Sequence, residues 1–156
     1  MTVVDIIAFG RAAEGAAAVT AILFSSVVTP VVFRHVPPDP AGRAFARLAR
    51  VFVRVALALA VIAALSRIRD HYIGRAATFW PAALDGVASL LFGITLAVIP
   101  QFERARDAAL REPGMGSGVD GGATLQSHRL LSGIRAMAFV AAVLLILSNQ
   151  SFVWLR

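Results

Sequence analysis

The sequence predicts an all-α integral membrane protein, a four-helix bundle of four transmembrane helices with a short surface helix between the third and fourth. Three observations carry that expectation. Of the 156 residues, 58% are hydrophobic and 15% charged, whereas soluble domains run at roughly half apolar and a quarter charged. The apolar residues gather in four long stretches, each near the roughly 20 residues that a bilayer-spanning helix needs. Each stretch has an ionisable residue within or beside it, namely Glu14, Arg54, Asp85 and Arg135. A charge at the bilayer centre costs about 2.5–3.5 kcal/mol on insertion scales, so these four imply a polar interior or polar borders.

The chain reads as a single transmembrane domain, residues 1–156, with spans at about 12–33, 44–66, 79–99 and 129–149. In the first span, Gly15–Phe33 is uncharged and long enough to cross alone, and Pro30 falls in its last turn as a kink or stop. The linker Arg34-His35-Val36-Pro37-Pro38-Asp39-Pro40 is expected to be non-helical, because its prolines remove donors and restrict their predecessors. The second span opens after Pro40. Arg43, Arg47, Arg50 and Arg54 recur at steps of four and three, which places them on one helical face. The uncharged run Val55–Ser66 is too short to cross a bilayer by itself, so part of this arginine ladder is expected to enter the membrane or snorkel from its edge. A connector is expected from Arg67 to Arg75.

Trp80-Pro81 reads as an interface anchor and helix start for the third span, which contains Asp85. After Pro100, the segment Gln101–Glu112 has Glu103–Arg106 and Asp107–Arg111 spaced for helical ion pairs, the pattern of a short surface helix. Pro113 to Gly122 is a glycine-rich loop. The fourth span follows, with Trp154 and Arg156 marking the far interface. No cleavable leader is expected, since the first residues lack a basic region and Asp5 stands where a positive charge belongs.

Charge and composition restrict function. The net charge is +6, and all 15 basic side chains are arginines. They lie at helix ends, where they meet anionic lipid headgroups rather than nucleic acid. Arg34, Arg43, Arg47, Arg50 and Arg54 flank the first linker, and Arg104, Arg106, Arg111, Arg129 and Arg135 flank the third. They outnumber Arg11, Arg67, Arg69, Arg75 and Arg156 on the other side, so both termini are expected outside the cytoplasm. The composition fits the inner membrane of a bacterium with a GC-rich genome. The absence of cysteine removes disulfides, thiolate metal sites and cysteine nucleophiles.

Arg54 and Asp85 are the expected embedded pair, entering from opposite sides on antiparallel neighbours and separated in depth by roughly 10 Å. Such a pair either fixes helix packing or relays a proton or ion. Glu14 and Arg135 border long uncharged runs and are expected near the interfaces. Ala18, Ala21, Ser25 and Thr29 share the face of Glu14, a small-residue stripe that predicts close helix packing. His35 and His128 fall on the same side in this topology and could converge on a b-type haem. His128, Ser132 and Arg135 share a face of the fourth span, but no oriented third group or oxyanion hole accompanies them, so no catalytic set is assigned. Gly114-Met115-Gly116-Ser117-Gly118 lacks the lysine of a phosphate loop.

The run Leu23-Phe24-Ser25-Ser26-Val27-Val28-Thr29-Pro30-Val31-Val32-Phe33-Arg34, followed by Ala41-Gly42-Arg43 with Phe45 and Leu48, resembles the transmembrane-protein-205-like family. That family's pattern is a helix ending in Pro-x-x-Phe-Arg, a short linker, then Ala-Gly opening a basic second helix. Gln126-Ser127-His128-Arg129-Leu130-Leu131-Ser132 is similar to the segment that opens the family's fourth helix, with Ser132 displaced by one position. The resemblance implies a four-helix membrane domain of unknown function and supplies no established catalytic residues to carry over.

The leading expectation is a non-enzymatic membrane protein that packs against other membrane proteins as an accessory subunit. One rival is a small ion, proton or solute transporter using Glu14, Arg54 and Asp85. Another is a haem- or quinone-associated redox protein using His35 and His128.

Overall fold

The computed structural model describes residues 3–36, 38–73, 79–111 and 122–150. All the regular structure among them is helical: α1 (Val3–Leu23), a π-helical turn (Phe24–Val28), α2 (Thr29–His35), α3 (Pro38–Tyr72), α4 (Trp80–Arg111) and α5 (Gly122–Gln150). The α1–π–α2 rod and the other three helices are each long and apolar enough to cross a membrane. The glycine-rich loop expected over 113–122 (apart from Gly122, which opens α5), Arg75, and the Trp154 and Arg156 markers lie outside the described residues.

The rods pack as a ring. α4 lies against α5 and α3, and α1 lies against α3 and α5. The interior is built from small residues, with Ala17, Ala46, Ala49, Ala60, Ala88, Ala141 and Ala142 fully enclosed. Val51, Val55, Leu65, Leu90, Ile94, Phe139, Val140 and Leu147 face outward. A soluble bundle has the opposite arrangement. In lipid, the outside is as apolar as the core, so helix association depends on close van der Waals contact, which alanine permits. Tyr72, Phe79 and Trp80 are exposed together at one end, as residues of an aromatic belt are.

The ends of the helices differ from expectation, and proline position explains why. Arg34 and His35 finish α2, and Pro38–Pro40 open α3, so the linker is shorter than the prolines suggested. Proline is tolerated in a first turn, where its missing N–H has no intrahelical partner anyway. Pro100 sits on the exposed face of α4 and does not end it. Phe92, Thr95, Ile99, Phe102 and Ala105 are all buried, so one inward stripe runs straight past the proline. Residues 101–111 of the surface helix expected over 101–112 are therefore the last part of α4, held down by Phe102 against Phe45 at a ring separation of 5.4 Å. Phe45 also meets Phe24 and Phe33, each at 5.5 Å, which ties the first rod to α3 at the same end.

The π turn precedes Pro30. The Thr29 amide reaches back to the Phe24 carbonyl, as does the Thr29 hydroxyl at 2.8 Å. Widening the turn in this way eases the contact between a proline ring and the carbonyl four residues earlier. Ser25, Ser66, Ser89 and Thr95 likewise donate to carbonyls four residues back, which satisfies hydroxyls that lipid cannot.

Candidate functional site

The buried ionisable residues converge at one end of the bundle, where each of the four rods contributes a polar side chain. Glu14 comes from α1, Arg67 from α3, Asp85 from α4 and Ser148 from α5, and all four are buried. The Arg67 guanidinium donates to Glu14 Oε2 at 2.9 Å and stands 3.9 Å from Asp85 Oδ2. Ser148 lies beside Asp85, and its hydroxyl donates to the Pro81 carbonyl at 3.1 Å. Arg11, one turn before Glu14, has an interaction of its own. His71, one turn after Arg67, packs its ring against Phe79 at 5.5 Å.

The local sequence explains the convergence. Gly10 lets α1 approach α3 so closely that a Cβ there would stand 2.8 Å from the Ser66 Cβ. One turn on, Glu14 is thereby held against Arg67, the residue after Ser66. Asp85 lies just inside the Trp80-Pro81 helix start, at the level where α3 ends. The stripe Ala18, Ala21, Ser25 and Thr29 continues below Glu14 and is buried throughout, as its spacing predicts.

Charge satisfaction is incomplete. Both oxygens of Asp85 and Oε1 of Glu14 lack a hydrogen bond of good geometry, although the Ser148 hydroxyl and the Glu14 carboxyl lie close to the Asp85 carboxyl. One guanidinium, that of Arg67, contacts both carboxylates, and Arg11 is a turn away. Such a group can act as a packing lock, or it can take up a proton or a cation, since an unsatisfied buried oxygen is costly.

Three sequence expectations change here. The embedded partner of Asp85 is Arg67, not Arg54: Arg54 is on the exposed face of α3. Glu14, expected near an interface, is also enclosed by the bundle and paired across the α1–α3 contact. Arg67 does not begin a connector, because α3 continues to Tyr72. The available signal was the short run Val55–Ser66, which is bounded by arginine on both sides, so the excess charge within the span could belong to either. Only the α1–α3 register selects Arg67.

A second ion pair, Arg50–Glu103 at 2.8 Å, joins α3 to α4 nearer the other end. Along α3 the backbone rises about 25 Å between Arg50 and Arg67, close to the roughly 30 Å of a hydrocarbon core. The two ionic levels thus bracket the apolar slab. Arg135 is exposed and has no ion pair among the described residues. His35 and His128 are both exposed, with no hydrogen bond or ring contact holding either. Among the described residues no group of three or more His, Cys, Asp or Glu side chains could hold a metal ion.

Residues 15–109, more than half of the chain, match the model of a family described as a domain of unknown function (DUF4149). No curated protein and no solved structure matches the chain. The matched segment includes Arg67 and Asp85 and begins one residue after Glu14.

Proposed function

The chain belongs to this family of domains of unknown function, and on that premise we propose that it is a non-enzymatic integral membrane protein that packs against other membrane proteins as an accessory or structural subunit. One observation carries the reading: the ionisable side chains drawn into the interior meet across helix interfaces, where they tie α1, α3 and α4 together. An interior engaged in this way suits a stable scaffold. The surface left for partners is apolar, edged by arginines at one end.

The test is purification of the full chain in mild detergent, followed by mass analysis of what accompanies it. Membrane proteins retained in fixed ratio are expected; a lone monomer from native membranes would overturn the reading. The arginine distribution supports a bacterial inner-membrane location with both termini outside the cytoplasm. A fluorescent protein fused to the C-terminus should then stay dark and a phosphatase fusion should be active. Fluorescence without phosphatase activity reverses the topology. The segments Leu23–Arg34 and Ala41–Arg43 support a closer kinship with transmembrane-protein-205-like proteins.

A second reading, proton or cation handling, is favoured by the unsatisfied oxygens of Asp85 and Glu14. It uses Arg67 in place of Arg54. Asp85→Asn separates the two readings: flux lost from reconstituted vesicles with stability intact supports handling, and stability changed without any flux supports the scaffold.

A further inference from the structure

We infer that the cleft between the π turn and α5 is a binding site for the phosphate group of an anionic membrane phospholipid. The cleft has a volume of about 300 Å³ and is lined by Ser25, Ser26, Ser132, Arg135, Ala136 and Phe139. Its polar groups are donors of the kind that oxyanions require. The Arg135 guanidinium has no ion pair, and the Ser26 and Ser132 hydroxyls make no hydrogen bond in the described structure. No carboxylate lines the cleft. Ser25 forms its floor, with its own hydroxyl donated to the Ala21 carbonyl at 2.8 Å.

The position fits a lipid better than a free ion. Between Arg135 and Ser148 α5 rises about 20 Å, while α4 rises about 27 Å between Asp85 and Glu103. The cleft therefore lies about one arginine side chain inside the level of the Arg50–Glu103 pair, within reach of the headgroup layer. Ser26, Ser132, Arg135, Ala136 and Phe139 are exposed on the outside of the bundle, so the cleft opens sideways to lipid. Its lining is graded along α5. Ser132 and Arg135 come first, and Ala136 and Phe139 follow toward the membrane middle, where glycerol and the first methylenes would lie. An unpaired guanidinium at this depth costs free energy that a phosphate offsets by a charge-assisted, two-pronged hydrogen bond. The π turn supplies the shape, since it offsets Ser25 and Ser26 from the regular helical surface.

The experiment uses the purified full chain in a neutral detergent, with retained lipids counted by native mass spectrometry. The probes are phosphatidylglycerol, phosphatidylcholine and inorganic phosphate. One phosphatidylglycerol should be retained per chain in preference to phosphatidylcholine. Arg135→Gln should weaken retention roughly tenfold or more, the scale of one lost charged hydrogen bond. Ser132→Leu, which fills the cleft while keeping the arginine, should weaken it too. Arg54→Gln removes an exposed arginine outside the cleft and should leave retention unchanged. Equal losses for Arg54→Gln and Arg135→Gln would mean diffuse electrostatics and overturn the site. Equal retention of phosphatidylcholine would overturn its preference for anionic lipid. Displacement of the lipid by millimolar inorganic phosphate would overturn the assignment to a lipid. All variants are at exposed positions, and a thermal scan of each without added lipid confirms that the fold persists.

Discussion

Replacing Arg67 by methionine isolates the buried charge cluster, because methionine keeps much of the length and apolar stem and removes only the guanidinium. The Arg67 side chain is 10% exposed, donates to Glu14 at 2.9 Å and lies 3.9 Å from Asp85. Its loss leaves two buried carboxylates without the cation that contacts both. Breaking a buried pair from one side costs about 3–5 kcal/mol, well above the average of about 0.6 kcal/mol for neutral polar pairs between transmembrane helices. Arg11, one turn from Glu14, offsets part of the imbalance, so the expected loss is near the lower end, about 3 kcal/mol. The assay is reversible unfolding in mixed micelles at neutral pH, followed by circular dichroism. Arg54→Met serves as the control and should stay within about 0.5 kcal/mol, as substitutions on an exposed face do. The triple variant Glu14→Gln, Arg67→Met, Asp85→Asn should recover most of the loss, because a fully neutralised site no longer buries unmatched charge. If Arg67→Met costs less than about 1 kcal/mol, or if Arg54→Met costs as much, the assignment of the embedded partner is wrong.

In the same assay, Glu14→Gln should cost about 1.5–3 kcal/mol, the range for a hydrogen bond to a charged group, and Asp85→Asn should cost less because its contact with Arg67 is longer; the reverse order would contradict the geometry. Gly10→Leu should destabilise by about 1–3 kcal/mol through overpacking against Ser66, and a silent Gly10→Leu would mean that α1 and α3 do not approach this closely. Ala141→Leu, at a fully enclosed position on α5, should cost a similar amount by thermal unfolding, whereas Leu147→Ala on the lipid face should cost little. Glu103→Gln removes a half-exposed pair with Arg50 and should change stability by no more than about 1 kcal/mol, with the difference shrinking as salt is added.

Much of this architecture is legible along the chain. Four apolar stretches, the Trp80-Pro81 start and the small-residue stripe below Glu14 are local features, and local features survive folding. The boundaries were less legible, because proline marks a helix end only when its position demands an N–H. Pro38 and Pro40 fall where none is needed, and Pro100 falls on a face that nothing packs against. Both helices therefore run further than the prolines imply.

The charged residues show the division most clearly. From the sequence, the span that includes Val55–Ser66 must hold an arginine, since the uncharged run is too short to cross by itself. Nothing in that run says whether Arg54 or Arg67 is enclosed. That choice belongs to the tertiary structure. Gly10 brings α1 against Ser66, which sets Glu14 opposite Arg67, and α4 brings Asp85 to the same level. Composition and periodicity determine that the protein spans a membrane, because each residue pays its cost of transfer into lipid largely on its own. Which charges meet inside it depends on the register of separate helices, and register is a property of the packed bundle.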